Sequence, residues 1–296
     1  MGTRSVTGPT TPHALSAPDT TQAVGLPAVA TKALKVPIVS NLDIARTGLP
    51  ATASAPLYQG PPGPVLQYPD DSAAPLAYRF HETAAPFANS GSAGALDLSP
   101  SAGSNTLVPG IWPETQALDC LDGNAAKHGL MSAATSKGEG SVCSISCWIK
   151  IRTFTDTGTI IQKKYANDGA WAAPFISVGM EVNGATGLIT GYVSVAGVIH
   201  GCGSITLIPV NVWTLVACTY DGSNLRFYVN GVLTNTVAQT GAIDWGSHGV
   251  WQVGENSYQV TADPKVLDGL FLNPRAETVV RTAAYYLSVY NARNPH

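Results

Sequence analysis

Residues 211–236 read NVWTLVACTYDGSNLRFYVNGVLTNT, two alternating runs joined by an Asp-Gly step, the second closing on Asn-Gly. In WTLVACTYD, Trp213, Leu215, Ala217 and Thr219 alternate with Thr214, Val216, Cys218 and Tyr220. A period of two marks a strand, and apolar content on both faces predicts one that is covered on both sides. NLRFYVNG puts Leu225, Phe227 and Val229 on one face and Arg226, Tyr228 and Asn230 on the other. One face is expected to pack and the other to meet solvent. Asp221-Gly222 and Asn230-Gly231 tolerate positive φ, so both are tight turns and the stretch predicts a β-meander.

The same grammar extends outward. Short runs recur between glycines and asparagines: LAYRF (76–80), QALDCL (116–121), SVCSISCWIKI (141–151), GTIIQKK (158–164), FISVGMEV (175–182), LITGYVSV (188–195), VIHGCGSI (198–205), VLTNTVA (232–238), VWQVGE (250–255) and VLDGLFL (266–272). About a dozen strands of this length suit two packed antiparallel sheets, an all-β sandwich. The convincing helical stretch is Ala276–Tyr290, where Val279, Val280, Ala283, Tyr286, Leu287 and Tyr290 fall on one face.

Residues 1–75 differ in kind. They hold twelve of the 21 prolines, no Trp or Phe, and two tyrosines, Tyr58 and Tyr68. Such a composition cannot bury enough apolar surface to fold alone, and its prolines oppose helices and central strands. An extended N-terminal arm over 1–75 and a folded domain over 76–296 are the expected organisation. The arm lacks burial of its own, so a surface supplied by other subunits is its expected partner.

Several segments together resemble a known family. The order W-T-x-V-A-C-T-Y-D-G-S-x-L-R-F-Y-V-N-G-V-L is similar to the signature hairpin of laminin G-like jelly rolls, in the concanavalin A-like sandwich superfamily. LAYRFHE (76–82), ALDCLDGNAAKHGLM (117–131), SISCWIKI (144–151) and VLDGLFLNPRAETVVRTAAYYLSVY (266–290) extend the likeness. The resemblance implies a two-sheet antiparallel jelly-roll sandwich with one short C-terminal helix, and says little about function.

The chemistry within reach is limited. Retaining glycosidases need two carboxyl groups about 5 Å apart, and this chain has no Glu-x-Asp-x-x-Glu run; its later acidic residues are dispersed singly. No catalytic residues and no cofactor are expected. Some relatives bind calcium on rim loops, but where they carry an Asp before the Glu this chain has His81 before Glu82, and the loop that follows, ANSGSAG, offers only Asn89. Asp122 and Asp268 sit in Leu-Asp-Gly steps that read as turns. The six histidines lack metal-ligand spacing, so no metal site is expected. Cys120, Cys143, Cys147, Cys202 and Cys218 form no CxxC pair and read as buried small hydrophobes. Trp171, Trp245 and Tyr258, in expected loops, are the aromatic candidates for contact with a sugar or protein partner, against a simpler role in packing.

With 12% charged residues and a net charge of −3, no nucleic-acid or membrane partner is expected. The opening MGTRSVTGPTTPH lacks a signal-peptide pattern, which suggests cytoplasmic synthesis. The expectation is a non-enzymatic, oligomeric structural protein of a large assembly. A bacteriophage virion, assembled in the host cytoplasm, fits best, with the arm on capsid or tail proteins and the sandwich as a decoration contacting host-surface glycan. The alternative is a carbohydrate-binding, lectin-like module of a surface or secreted protein.

Overall fold

The computed structural model describes residues 74–80, 86–100, 106–111, 115–121, 128–154, 157–166, 173–256 and 265–292. The expected arm, up to residue 73, lies outside them.

In chain order the elements are β1 (Leu76–Ala77), β2 (Ser99–Pro100), β3 (Thr106–Pro109), β4 (Gln116–Cys120), β5 (Leu130–Met131), β6 (Cys143–Ile151), β7 (Gly158–Lys164), β8 (Ile176–Val182), β9 (Ile189–Val195), β10 (Val198–Gly203), β11 (Thr214–Tyr220), β12 (Asn224–Val229), β13 (Val232–Ala238), β14 (Trp251–Val253), β15 (Glu255–Asn256), β16 (Lys265–Val266), β17 (Gly269–Glu277) and α1 (Ala283–Ala292). One sheet runs β13-β12-β11-β6-β17-β4-β3, with β1 also on β17; the other runs β10-β9-β8-β7-β14-β5-β2, and β15 and β16 form a small ladder. Neighbouring strands in both sheets are antiparallel. The fold is mostly β, a two-sheet sandwich with one short C-terminal helix.

The opening stretch forms the meander β11-β12-β13. Asn230 and Gly231 adopt φ of 50° and 80°, the paired left-handed residues that a two-residue hairpin turn needs. Asn230 also accepts from Leu215 N through Oδ1 at 2.9 Å, pinning the turn to the neighbouring strand. At the other turn, Asp221 Oδ1 accepts from Ser223 N and Asn224 N.

Between the sheets, Val216, Cys218, Tyr220, Leu225 and Phe227 of the first face Val178, Met180, Val182, Ile189 and Val193 of the second. All five cysteines are free, buried thiols in this same core. Burial pushes the Cys143 thiol up to about 12, against an opposing backbone hydrogen bond at Tyr220. Such a group is an inert hydrophobe rather than a nucleophile.

A second apolar layer lies on the outer side of the first sheet, where α1 packs Tyr286 against Trp148, Leu215, Ala217, Tyr228 and Leu272. This layer is why both faces of β11 are buried. It also corrects one expectation: Tyr228 does not meet solvent but is 4% exposed, with its ring centroid 5.1 Å from that of Tyr286. The helix starts later than the periodicity predicts. β17 continues through Pro274 by way of an irregularity between Leu272 and Arg275, with Asn273 at φ 53°, and pairs Ala276 with Ile145 and Glu277 with Ser144. Glu277 is buried and accepts from Arg281 Nε and Nη2 at 3.0 and 2.7 Å. Thr282 then opens the helix, its hydroxyl accepting from Tyr285 N, a common N-cap arrangement.

Candidate functional site

The outer face of the second sheet holds a cavity of about 280 Å³, lined by Thr157, Thr159, Gln162, Lys164, Phe175, Ile176, Glu181, Tyr192, Ile199 and Asn256. Its size is just under the roughly 300–1,000 Å³ of drug-sized ligand pockets.

Strand β7 supplies three of the lining residues, and a bulge makes that possible. Strict alternation would put Thr159 and Gln162 on opposite faces. The β7–β8 register shifts between Thr159 and Ile161, however, so that Thr159 pairs with Glu181 and Gln162 with Gly179. Ile160 and Ile161 both enter the core, and Thr159 and Gln162 both line the cavity. Re-aiming of side chains is what a bulge does. Across the sheet, Gln252, Gln162, Gly179, Tyr192 and Gly201 stand in one row, and Thr159, Glu181, Thr190 and Gly203 in the next. Gly179 is a close approach in the first row, since a Cβ there would lie 2.9 Å from Gln162 Cβ. The Tyr192 ring lies over Gly201 instead, 3.3 Å from where a Cβ would stand.

The polar groups are set for a partner. Gln162 is 1% exposed and donates from Nε2 to Gln252 Oε1 at 2.7 Å, while its own Oε1 has no hydrogen-bond partner among the described residues. Thr159 is fully buried and its hydroxyl is likewise unpartnered. Burying such atoms unpaired costs stability, about 1–3 kcal/mol each. Burial raises the Tyr192 phenol, with the Glu181 charge adding to it and a Thr190 hydrogen bond opposing; the hydroxyl is thus a neutral donor. Burial lowers Lys164 to about 8, against the attraction of Glu255.

Of the aromatic candidates, Trp245 is half-buried against the core and donates from Nε1 to Gly140 O at 2.9 Å. It packs, and it is not part of the cavity lining. Trp171 and Tyr258 lie outside the described residues, as do His81, Glu82 and Asp122. Asn89 spends its amide on backbone: Oδ1 accepts from Ala77 N and Gly91 N, and Nδ2 donates to Pro75 O and Gly94 O. Asp268 accepts from Arg152 Nε at 2.6 Å while Arg152 Nη2 reaches Asp119 at 2.7 Å, an ion network binding β4 to the ends of β6 and β17. Among the described residues, no group of three or more His, Cys, Asp or Glu is arranged to hold a metal ion. No described helix is long and apolar enough to cross a membrane. Sequence reasoning missed Gln162, Thr159, Glu181 and Tyr192; the interior glycines Gly179 and Gly201 were the available signal, since a strand glycine marks a close approach or a gap.

The two antiparallel sheets packed on each other define a protein of the jelly-roll sandwich class. Residues 124–284 match the Laminin G 3 family of the concanavalin A-like lectin/glucanases superfamily, and the chain belongs to it. No curated protein matches it significantly in sequence. Among solved structures it is similar to domain 4 of AbnA, an extracellular arabinanase from Geobacillus stearothermophilus solved with arabinotriose, at 17% identity and a TM-score of 0.55, covering 75% of this chain and all of that one. It is also similar to the binding domain of botulinum neurotoxin DC, solved with rat synaptotagmin II at 11% identity and a TM-score of 0.56, covering 75% of this chain and 52% of that one. The same binding domain with SialylT aligns at 13% identity and a TM-score of 0.54, covering 76% and 52%. The chain thus spans about half of the toxin domains. At these identities the likeness shows the shared fold.

Proposed function

We propose that this protein is a non-enzymatic, carbohydrate-binding module whose sugar occupies the cavity on the outer face of the second sheet. The observation that carries the reading is that two residues of its lining, Thr159 and Gln162, each hold a buried oxygen, Oγ1 and Oε1, with no hydrogen-bond partner among the described residues. A sugar hydroxyl both donates and accepts, so it can satisfy each of them once the lining shifts to admit it. Glu181 accepts from further hydroxyls, Tyr192 offers a donor, and Phe175, Ile176 and Ile199 cover the ligand's apolar C–H faces. The AbnA domain solved with arabinotriose and the toxin binding domain solved with SialylT support a sugar on this kind of scaffold. Glu181 is the one carboxylate among the described residues of the lining, whereas retaining and inverting hydrolysis both use a pair.

An arm that anchors the module on a virion, as the composition of residues 1–75 suggests, would present the cavity to a host-surface glycan; detection of the chain in purified virions checks that placement. The binding reading is tested by a glycan array followed by calorimetry on the hits. Saturable binding that is lost in Gln162→Ala supports it; no binding of any glycan at millimolar concentration overturns it.

A further inference from the structure

Between β10 and β11 the chain crosses from the second sheet to the first, over one end of the sandwich. That loop, SITLIPVNV (204–212), is pinned: Ser204 N donates to Ile189 O at 2.6 Å, Asn211 N donates to Ile151 O at 2.7 Å, and Ile208 turns into the core at 2% exposed. Its other aliphatic side chains point outward. Ile205 is 73% exposed and Leu207 62%, with Val210 and Val212 close to half. A loop fixed at both ends and by a buried residue between them holds these side chains out as a set.

The same end gathers more of the kind. Asn230 N donates to Leu215 O at 2.8 Å, which seats the β12–β13 turn beside the start of β11, and Val232 and Leu233 follow that turn, both exposed. From Val198 to Tyr220, and again from Phe227 to Ile243, the chain has no Asp, Glu, Lys or Arg. Arg152, which follows β6 at this end, is already held by Asp119 and Asp268. Half-exposed side chains of this size together present on the order of 300 Å² of apolar surface, the scale at which a patch on a monomer is often functional.

Composition and area choose the occupant. A stable pairing of two copies buries about 800 Å² a side, and protein hot spots are built on Trp, Tyr and Arg, with Leu and Val under-represented. The patch offers Ile, Leu and Val alone. Shallow insertion into lipid, about 5–10 Å into the boundary between headgroups and acyl chains, asks for apolar area and scales with it.

We infer that this end of the sandwich inserts into a lipid bilayer, with Ile205 and Leu207 deepest. A net charge of −3 argues only against attraction to anionic headgroups. Apolar insertion needs neither anionic lipid nor low salt. It is also independent of the sugar-binding reading, since none of these six exposed residues lines the cavity.

The test is flotation of the full chain with phosphatidylcholine vesicles, with and without phosphatidylserine, in low and high salt. Binding is expected to both lipid mixtures and to be insensitive to salt. The double variant Ile205→Ser, Leu207→Ser should weaken it by more than about tenfold, as the loss of several buried methylenes predicts, with circular dichroism and glycan-array hits unchanged. Val232→Ser, at the margin of the patch, should weaken it less. Absence of flotation with either mixture overturns the inference, as does binding that the double variant retains or that high salt abolishes. A dimer in analytical ultracentrifugation that the double variant loses, in a chain that does not float, also overturns it and gives the patch to a second copy.

Discussion

Gln162 Nε2 and Gln252 Oε1 are joined by a buried 2.7 Å hydrogen bond, which leaves the other oxygen of the pair, Gln162 Oε1, without a hydrogen-bond partner among the described residues. The bond therefore fixes which way the amide presents itself. Gln252→Leu leaves the Nε2 group buried without this acceptor, and the expected loss is about 1–3 kcal/mol in urea denaturation. Sugar affinity is expected to fall with it. Unchanged stability would show that the amide finds another acceptor.

Thr159→Val should separate binding from folding. The Thr159 hydroxyl is buried and unpartnered, so replacing it by a methyl removes a desolvated polar atom at nearly constant shape. Stability is expected to hold or rise by up to about 1 kcal/mol, while sugar affinity drops severalfold. A clear loss of stability would mean that the hydroxyl has a partner in the folded state.

Lys163 and Glu139 tie the loop before β6 to β7. Lys163 is fully buried, with Nζ 3.2 Å from Glu139 Oε1, donating to Thr135 O and Gly249 O at 2.6 and 2.7 Å and lying over the Trp251 ring. Glu139→Ala strands a buried cation and is expected to cost about 3–5 kcal/mol, whereas Lys163→Met, which removes the charge but keeps the bulk, should cost less. Thermal unfolding of both variants gives the ranking; the reverse order would refute it.

Gly191 of β9 and Cys218 of β11 meet across the two sheets in a close contact. A Cβ on Gly191 would lie 2.3 Å from Cys218 Sγ, so Gly191→Ala forces a shift and should cost about 1–3 kcal/mol. Cys218→Ala makes the space, and in a double-mutant cycle the pair should recover part of that loss. Strictly additive effects would place the strain elsewhere.

Lys164 should leave a pH signature on stability. Its folded value of about 8 lies below the ordinary 10.5, so between the two the unfolded chain binds more protons and stability rises with pH. Below about 8 both states are protonated and the contribution is flat. Tyrosines titrate in the same range, so the quantity to measure is wild type minus Lys164→Met by denaturation from about pH 7 to 10.5. A difference that does not grow with pH would contradict the depressed value.

The sequence by itself determined the strands, the two turns of the meander and the sandwich class. Alternation in Thr214–Tyr220 and the Asn230-Gly231 step are local signals, set by strand pleat and by which residues tolerate positive φ, and they hold whatever packs nearby. The burial of both faces of β11 was equally legible, because apolar side chains on each face demand cover. What covers them was not. Tyr228 is buried because α1 folds back onto the outer side of the first sheet, and that helix begins at Ala283 because Glu277 is held in β17 by pairing with Ser144 and by Arg281. The site lay further from reach. Thr159 and Gln162 share a face only because β7 bulges against β8, and a bulge belongs to the pairing of two strands rather than to either one. The missing partners of their polar atoms are likewise properties of the assembled sheet, since only packing decides which groups lose water and which regain a hydrogen bond.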